Sequence, residues 1–182
     1  MAMKQQSKMR RGGGRREKPE YDQKLLALAR VTRVVKGGRR FRFRATLVIG
    51  NRKGKVGVGV AKGNDVSDAI QKAFNDAKKN IVSVELVNGT IAHDVFAKEG
   101  SAKVLLKPGK EGRGLIAGGA VRAVADLLGV KDIVSKSLGS SNALNLSRAT
   151  VRAFGQLKNE APVAPKEAPV AVKPEEAKKE SK

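Results

Sequence analysis

Phe41-Arg42-Phe43-Arg44-Ala45-Thr46-Leu47-Val48-Ile49 is the stretch on which the fold turns. Phe41, Phe43, Ala45, Leu47 and Ile49 alternate with Arg42, Arg44 and Thr46. A period of two with one polar face predicts a half-buried strand. The alternation places the rings of Phe41 and Phe43 on the core face. A base-stacking platform is the alternative for two aromatics between arginines. Arg42 and Arg44 project from the opposite face. Working upstream, Leu25 to Val35 is a strand, and Lys36-Gly37-Gly38-Arg39 is the turn between the two. Downstream, Asn51-Arg52-Lys53-Gly54 is a second turn. Val56, Val58 and Val60 then alternate with Gly57 and Gly59 in a third strand. Glycine costs a strand stability. A backbone or an RNA sugar approaches there, or the strand is bulged.

Val66, Ala69, Ile70, Ala73, Phe74 and Ala77 recur at helical spacing, with Asn64 or Asp65 as N-cap. Asp68 and Lys72 form a supporting i,i+4 pair. The first domain therefore reads β-β-β-α, a meander whose apolar face a helix covers.

The same region carries the charge. Between Gln23 and Asn64 there are twelve Lys or Arg and no Asp or Glu. Such a field repels itself unless a polyanion neutralises it, and phosphate backbones do so. Candidate RNA contacts are Lys36, Gly37, Gly38, Arg39, Arg40, Arg42, Arg44, Arg52, Lys53 and Lys55. The two glycines let the Lys36–Arg40 turn press its backbone against phosphates. Across all 182 residues the net charge is +21. No apolar run approaches a membrane span, and residues 1–18 lack the apolar core of a signal peptide. Cysteine is absent, which removes disulfides and cysteine-bound metals and fits a cytoplasmic protein.

The ends differ in kind. Residues 1–20 hold Arg10-Arg11-Gly12-Gly13-Gly14-Arg15-Arg16 without apolar periodicity, which predicts a basic flexible arm. Residues 159–182 balance five basic against five acidic residues. This Ala/Pro/Glu/Lys composition predicts a disordered tail. Folded domains are expected at 21–85 and 86–158.

In the second domain, Thr90 to Val95 and Lys103 to Lys107 are expected strands. Gly109, Gly112, Gly114, Gly118 and Gly119 mark a loop. A helix from about Ala120 to Leu128 ends at Gly129. Ile133 to Leu138 is a strand, and Asn142 caps a last helix carrying Leu146, Thr150, Ala153 and Leu157. That order suggests a two-layer β-α-β-α domain, and an α+β fold for the whole chain.

Catalytic constellations are thin. His93 is the sole histidine, without metal-ligand spacing, and reads as structural. Ser83 and Ser101 lie in no nucleophile-elbow context. Gly112-Arg113-Gly114-Leu115-Ile116-Ala117 fits a loose dinucleotide fingerprint between strand and helix. However, Asp132 precedes its strand instead of ending one, and the spacer from Pro108 to Gly119 is too long for a tight turn. A nucleotide-dependent enzyme is the rival reading, and a free double-stranded-RNA-binding regulator a third. The reading favoured here is not an enzyme and calls for no cofactor, metal or small-molecule substrate.

One family shares these residues. The chain resembles the small-subunit ribosomal protein five family in Val34-Val35-Lys36-Gly37-Gly38-Arg39, the alternating strand and Gly57-Val58-Gly59. The likeness continues through Ala69-Ile70-Gln71-Lys72-Ala73, Asn88-Gly89-Thr90 and Gly118-Gly119-Ala120-Val121-Arg122-Ala123-Val124. It ends with Gly139-Ser140-Ser141-Asn142 and Arg148-Ala149-Thr150, so it runs from about Tyr21 to Leu157. The resemblance implies a double-stranded-RNA-binding-like first domain lacking the usual first helix. It implies a structural, cytoplasmic, ribosome-bound protein that binds 16S ribosomal RNA. Such a protein would hold the head of the small subunit against its body and contribute to translational accuracy. Its partners would be small-subunit proteins four and eight. It also implies that Val31, Thr32 and Lys36 fall in the spectinomycin region, and that Gly114 and Arg122 face protein four.

Overall fold

A computed structural model describes residues 20–157. Apart from Glu20, the expected basic arm lies outside the described residues, as does the expected tail.

The first sheet is an antiparallel meander. It comprises β1 (Asp22–Val35), β2 (Gly38–Gly50), β3 (Lys55–Gly63) and β4 (Ile81–Ser83), in that order. Between β3 and β4 runs α1 (Val66–Lys79). Asp65 is its N-cap in extended conformation, without a side-chain cap bond. Asp68 and Lys72 pair at 2.9 Å. The short β4 carries no periodicity long enough to announce it in sequence.

α1 lies unusually close to the sheet. Ala69, Ala73 and Ala77 are fully buried against Ala45, Leu47 and Ile49. A Cβ at Gly57 would stand 2.5 Å from the Ala77 carbonyl oxygen. One at Gly59 would strike the backbone of Ala73 and Ala77, and one at Gly63 that of Ala69. The glycines of β3 thus admit a helix backbone. The valines between them serve the other face. Val56 and Val58 join Val48 and Val84 in a core with Val121, Val124, Leu127, Leu128, Ala153 and Phe154.

That second core corrects one expectation. Thr46, placed on the polar face, is buried, because the second domain covers this part of the sheet. Phe41 is a second correction. It is 47% exposed and outside the core. β3 ends at Gly63, paired with Phe43, and nothing in α1 reaches further. Phe43, at that edge, is half-buried against the α1 cluster. Beyond it β1 and β2 continue alone.

The second domain comprises β5 (Val95–Glu99), β6 (Ala102–Pro108), β7 (Leu115–Ile116), α2 (Gly119–Leu128), β8 (Ile133–Gly139) and α3 (Ala143–Gly155). Its sheet order is β5-β6-β8-β7, with only β7 parallel to its neighbour. The whole is α+β. Thr90 to Asp94, expected in a strand, does not pair in this sheet. Asn88 and Gly89 turn through positive φ. The Thr90 hydroxyl donates to the Asp132 carbonyl at 2.7 Å, and the Lys131 N–H donates to the Gly89 carbonyl at 2.8 Å. These bonds tie the segment to the loop before β8. Gly129 ends α2 at φ 97°. The Asn142 side chain accepts from the Leu144 N–H at 3.1 Å at the start of α3.

The domains meet at the Asn51–Gly54 turn. The N–H groups of Arg52 and Gly54 donate to the carbonyls of Leu127 and Leu128, each at 2.9 Å. Carbonyls at a helix C-terminus lack partners within the helix. Here a turn of the first domain supplies them, and Arg52 adopts φ 54° to do so.

Candidate nucleic-acid interface

Past Phe43 the β1–β2 hairpin is a two-stranded ribbon closed by the Lys36-Gly37 turn. Five residues separate Phe43 from Gly38, so it projects roughly 17 Å at strand rise. The register sorts its side chains. Arg40, Arg42 and Arg44 line one face of β2, opposite Arg33, Val31 and Ala29. Successive arginines in this row are about 6.7 Å apart, two strand rises. On the other face, Arg39, Phe41 and Phe43 stand opposite Val34, Thr32 and Arg30. Among the described residues, none of Arg33, Lys36, Arg39, Arg40, Arg42 and Arg44 forms an ion pair with a carboxylate. Gly37 and Gly38 at the tip have open space around them, and Gly38 takes φ +128°.

The expected RNA contacts fall into two groups. Lys36, Gly37, Gly38, Arg39, Arg40, Arg42 and Arg44 share the ribbon. Arg52, Lys53 and Lys55 lie at the far end of β2, about 30 Å from Arg40 at strand rise. The Arg52 Nε sits 3.1 Å from the Asp22 carboxylate. Asn51 Oδ1 accepts from the Lys53 and Lys55 N–H groups at 2.8 and 3.0 Å, leaving both side chains exposed. Val31 stands on the arginine face, Thr32 on the phenylalanine face and Lys36 at the tip.

Two ribbon cations were not singled out from sequence, Arg30 and Arg33. The signal was present. A two-residue turn pairing Val35 with Gly38 sets Arg33 opposite Arg40 and Arg30 opposite Phe43. Arg30 reaches diagonally to Phe41, its guanidinium carbon 4.5 Å from the ring centroid. Such an exposed cation–π pair contributes about 0.5–1 kcal/mol.

The glycine-rich loop carries different geometry. The Gly114 N–H donates to Asp132 Oδ1 at 2.6 Å. The Arg122 guanidinium donates to the Leu115 carbonyl at 2.7 Å. Gly114 and Arg122 are therefore joined at one surface, beside exposed Ile116. Asp132, the acid a ribose would need, is buried and holds the loop closed. α2 starts only at Gly119, five residues beyond Gly114. This is not the arrangement of a dinucleotide turn, whose glycines open directly into the helix.

Titration is perturbed away from the ribbon. The Lys72 ammonium, hydrogen-bonded to Asp68, holds that carboxyl below its ordinary range. Among the described residues no group of three His, Cys, Asp or Glu could hold a metal ion, and no helix is long and apolar enough to cross a membrane.

Fold and surface together define a two-domain α+β protein with a bare cationic hairpin at one end and a docked second domain. Known families of this kind match along most of the chain. The pattern of "Ribosomal protein S5, N-terminal domain" covers residues 21–85, and that of "Ribosomal protein S5, C-terminal domain" covers 97–167. Similar proteins include the small ribosomal subunit protein uS5 of Campylobacter jejuni subsp. jejuni serotype O:23/36 (strain 81-176), of serotype O:6 (strain 81116 / NCTC 11828) and of strain RM1221. Each is 54% identical over 139 residues, spanning 76% of this chain and 95% of the relative. The chain belongs to the ribosomal protein S5 family, a family of structural ribosomal proteins and not a class of enzyme.

Proposed function

We propose that this chain is a cytoplasmic constituent of the small ribosomal subunit, bound to 16S ribosomal RNA through the β1–β2 ribbon. It bridges head and body and thereby contributes to translational accuracy. The observation that carries the reading is the ribbon itself. A two-stranded hairpin alone is marginal in water, and this one bears a row of arginines without a carboxylate partner among the described residues. Phosphates neutralise that row and order the ribbon. Lys53 and Lys55 meet the same RNA at the other end of β2. Folding into domains 21–85 and 86–158 sets these contacts on a rigid body. Gly114 and Arg122 present a protein-facing surface, assigned to small-subunit protein four. The rest of the second domain meets protein eight. Val31, Thr32 and Lys36 border the spectinomycin region through their place on the ribbon.

Binding of the full chain to 16S ribosomal RNA across a salt series tests the reading. Arg40→Ala with Arg42→Ala should weaken binding and flatten log K against log salt by roughly 0.7–0.9 for each phosphate no longer neutralised. A slope equal to wild type sinks the assignment of this row to phosphates.

A further inference from the structure

The ribbon face opposite the arginine row mixes cations with exposed apolar and aromatic side chains. It carries Thr32, Val34, Arg39 and Phe41, with Arg30 laid against the ring. Phe41 is half exposed and Val34 is 75% exposed. The sheet beyond β3 offers Phe41 no core to enter. Its ring is held instead by the guanidinium of Arg30, which is planar and stacks on aromatic faces.

We propose that Phe41 and Arg30 form a stacking site for an unpaired nucleobase of RNA. The inference rests on the RNA-binding reading above and adds to it a contact with a base. Aromatic rings and guanidinium planes are the two side-chain surfaces on which bases stack. Here both occur in one pair, on a projecting ribbon that no other element among the described residues covers. Arg39, two residues along the same face, would take the phosphate of the stacked nucleotide. Thr32, directly across from Phe41, sets a hydroxyl within a cross-strand spacing of the ring. No carboxylate is carried on this face, so an anionic ligand meets no repulsion. A second copy of the chain is disfavoured, since the same cations would face one another.

Stacking and phosphate neutralisation separate experimentally, because only the second depends on salt. The full chain is titrated with 16S ribosomal RNA across a salt series. It is also titrated with a single-stranded oligouridine containing one 2-aminopurine, whose fluorescence is quenched on stacking. Phe41→Ala should lower affinity for the 16S RNA roughly five- to hundredfold with the salt slope unchanged. It should also abolish the quench. Phe41→Tyr should retain both, and Arg30→Lys should weaken the quench while keeping the charge. Phe41 is outside the core, so Phe41→Ala should melt close to wild type. Wild-type affinity and quench in Phe41→Ala overturn the stacking site. If Arg40→Ala with Arg42→Ala still flattens the slope, the RNA reading survives that result. A Phe41→Ala slope that falls together with affinity also overturns stacking, since the change then acts through displaced cations. An unchanged slope in the Arg40→Ala, Arg42→Ala pair sinks the assignment of the arginine row to phosphates.

Discussion

Gly59→Ala should be among the most damaging single-methyl changes in this protein. The new Cβ would stand 2.8 Å from the Ala77 Cβ and closer still to the backbone of Ala73 and Ala77. Carbon atoms rest about 3.5–4.0 Å apart. α1 must therefore retreat from β3 by about 1 Å, and nothing in the clash is the flexible end of a side chain. That retreat opens gaps along Ala69, Ala73 and Ala77, all fully buried. Overpacking typically costs about 1–3 kcal/mol. A backbone obstacle at the centre of the helix–sheet contact sets the upper part of that range, about 2–3 kcal/mol. At about 3–4 °C per kcal/mol for a folded body of this size, Tm should fall by about 6–12 °C. The assay is thermal unfolding followed by far-ultraviolet circular dichroism. Gly37→Ala is the control, because a Cβ there meets nothing within 4 Å and no positive φ opposes it. It should stay within about 0.5 kcal/mol of wild type. Equal melting of Gly59→Ala and wild type would refute the close-approach account of the β3 glycines.

Asn142→Ala should cost about 1 kcal/mol by removing the α3 cap, read as a lower urea midpoint with an unchanged m-value. Asp132→Ala strips the Gly114 N–H of its charged acceptor and should cost about 1.5–3 kcal/mol. Amide exchange at Gly114 should accelerate more than exchange in α1, and equal acceleration at both refutes a local role. The Asp68 carboxyl titrates below its unfolded value, so its contribution to stability is present above that value. It is lost as pH falls through the lowered, folded pKa. Asp68→Asn should therefore reduce the difference in stability between pH 7 and pH 2.5, measured by urea unfolding.

Much of the architecture was legible because its periodicities are long. β2 alternates from Phe41 to Leu47, and α1 sets alanines at 69, 73 and 77 over about two turns. The alternation alone could not say where cover ends. Phe41 and Ala45 obey one pattern, yet only Ala45 lies beneath α1. Cover depends on where β3 and α1 stop, which is a tertiary fact. Thr46 failed for the converse reason, since the second domain packs where one sheet taken alone would be wet. Thr90–Asp94 looked like a strand because β-branched and apolar residues recur there. The Thr90 backbone pairs instead with Val87 in an isolated bridge, and its hydroxyl is tied to the Asp132 carbonyl. At the candidate interface the arginine row was legible from charge and period. The Arg30–Phe41 stack was not, because it needs the hairpin register and a diagonal reach.

The core shared by the two domains has a consequence for synthesis. Val48, Val56, Val58 and Val84 lie in the half of the chain that leaves the ribosome first, whereas their cover, α2 and α3, ends at Gly155. Some 70 residues separate Val84 from Phe154, which at 5–20 residues per second is roughly 4–14 s of translation. Through that interval the nascent first domain already has α1 on one side of its sheet and a row of bare valines on the other. α3 is thus the helix that closes this surface, and a chain stalled before Ala143 would be released with an aggregation-prone face open.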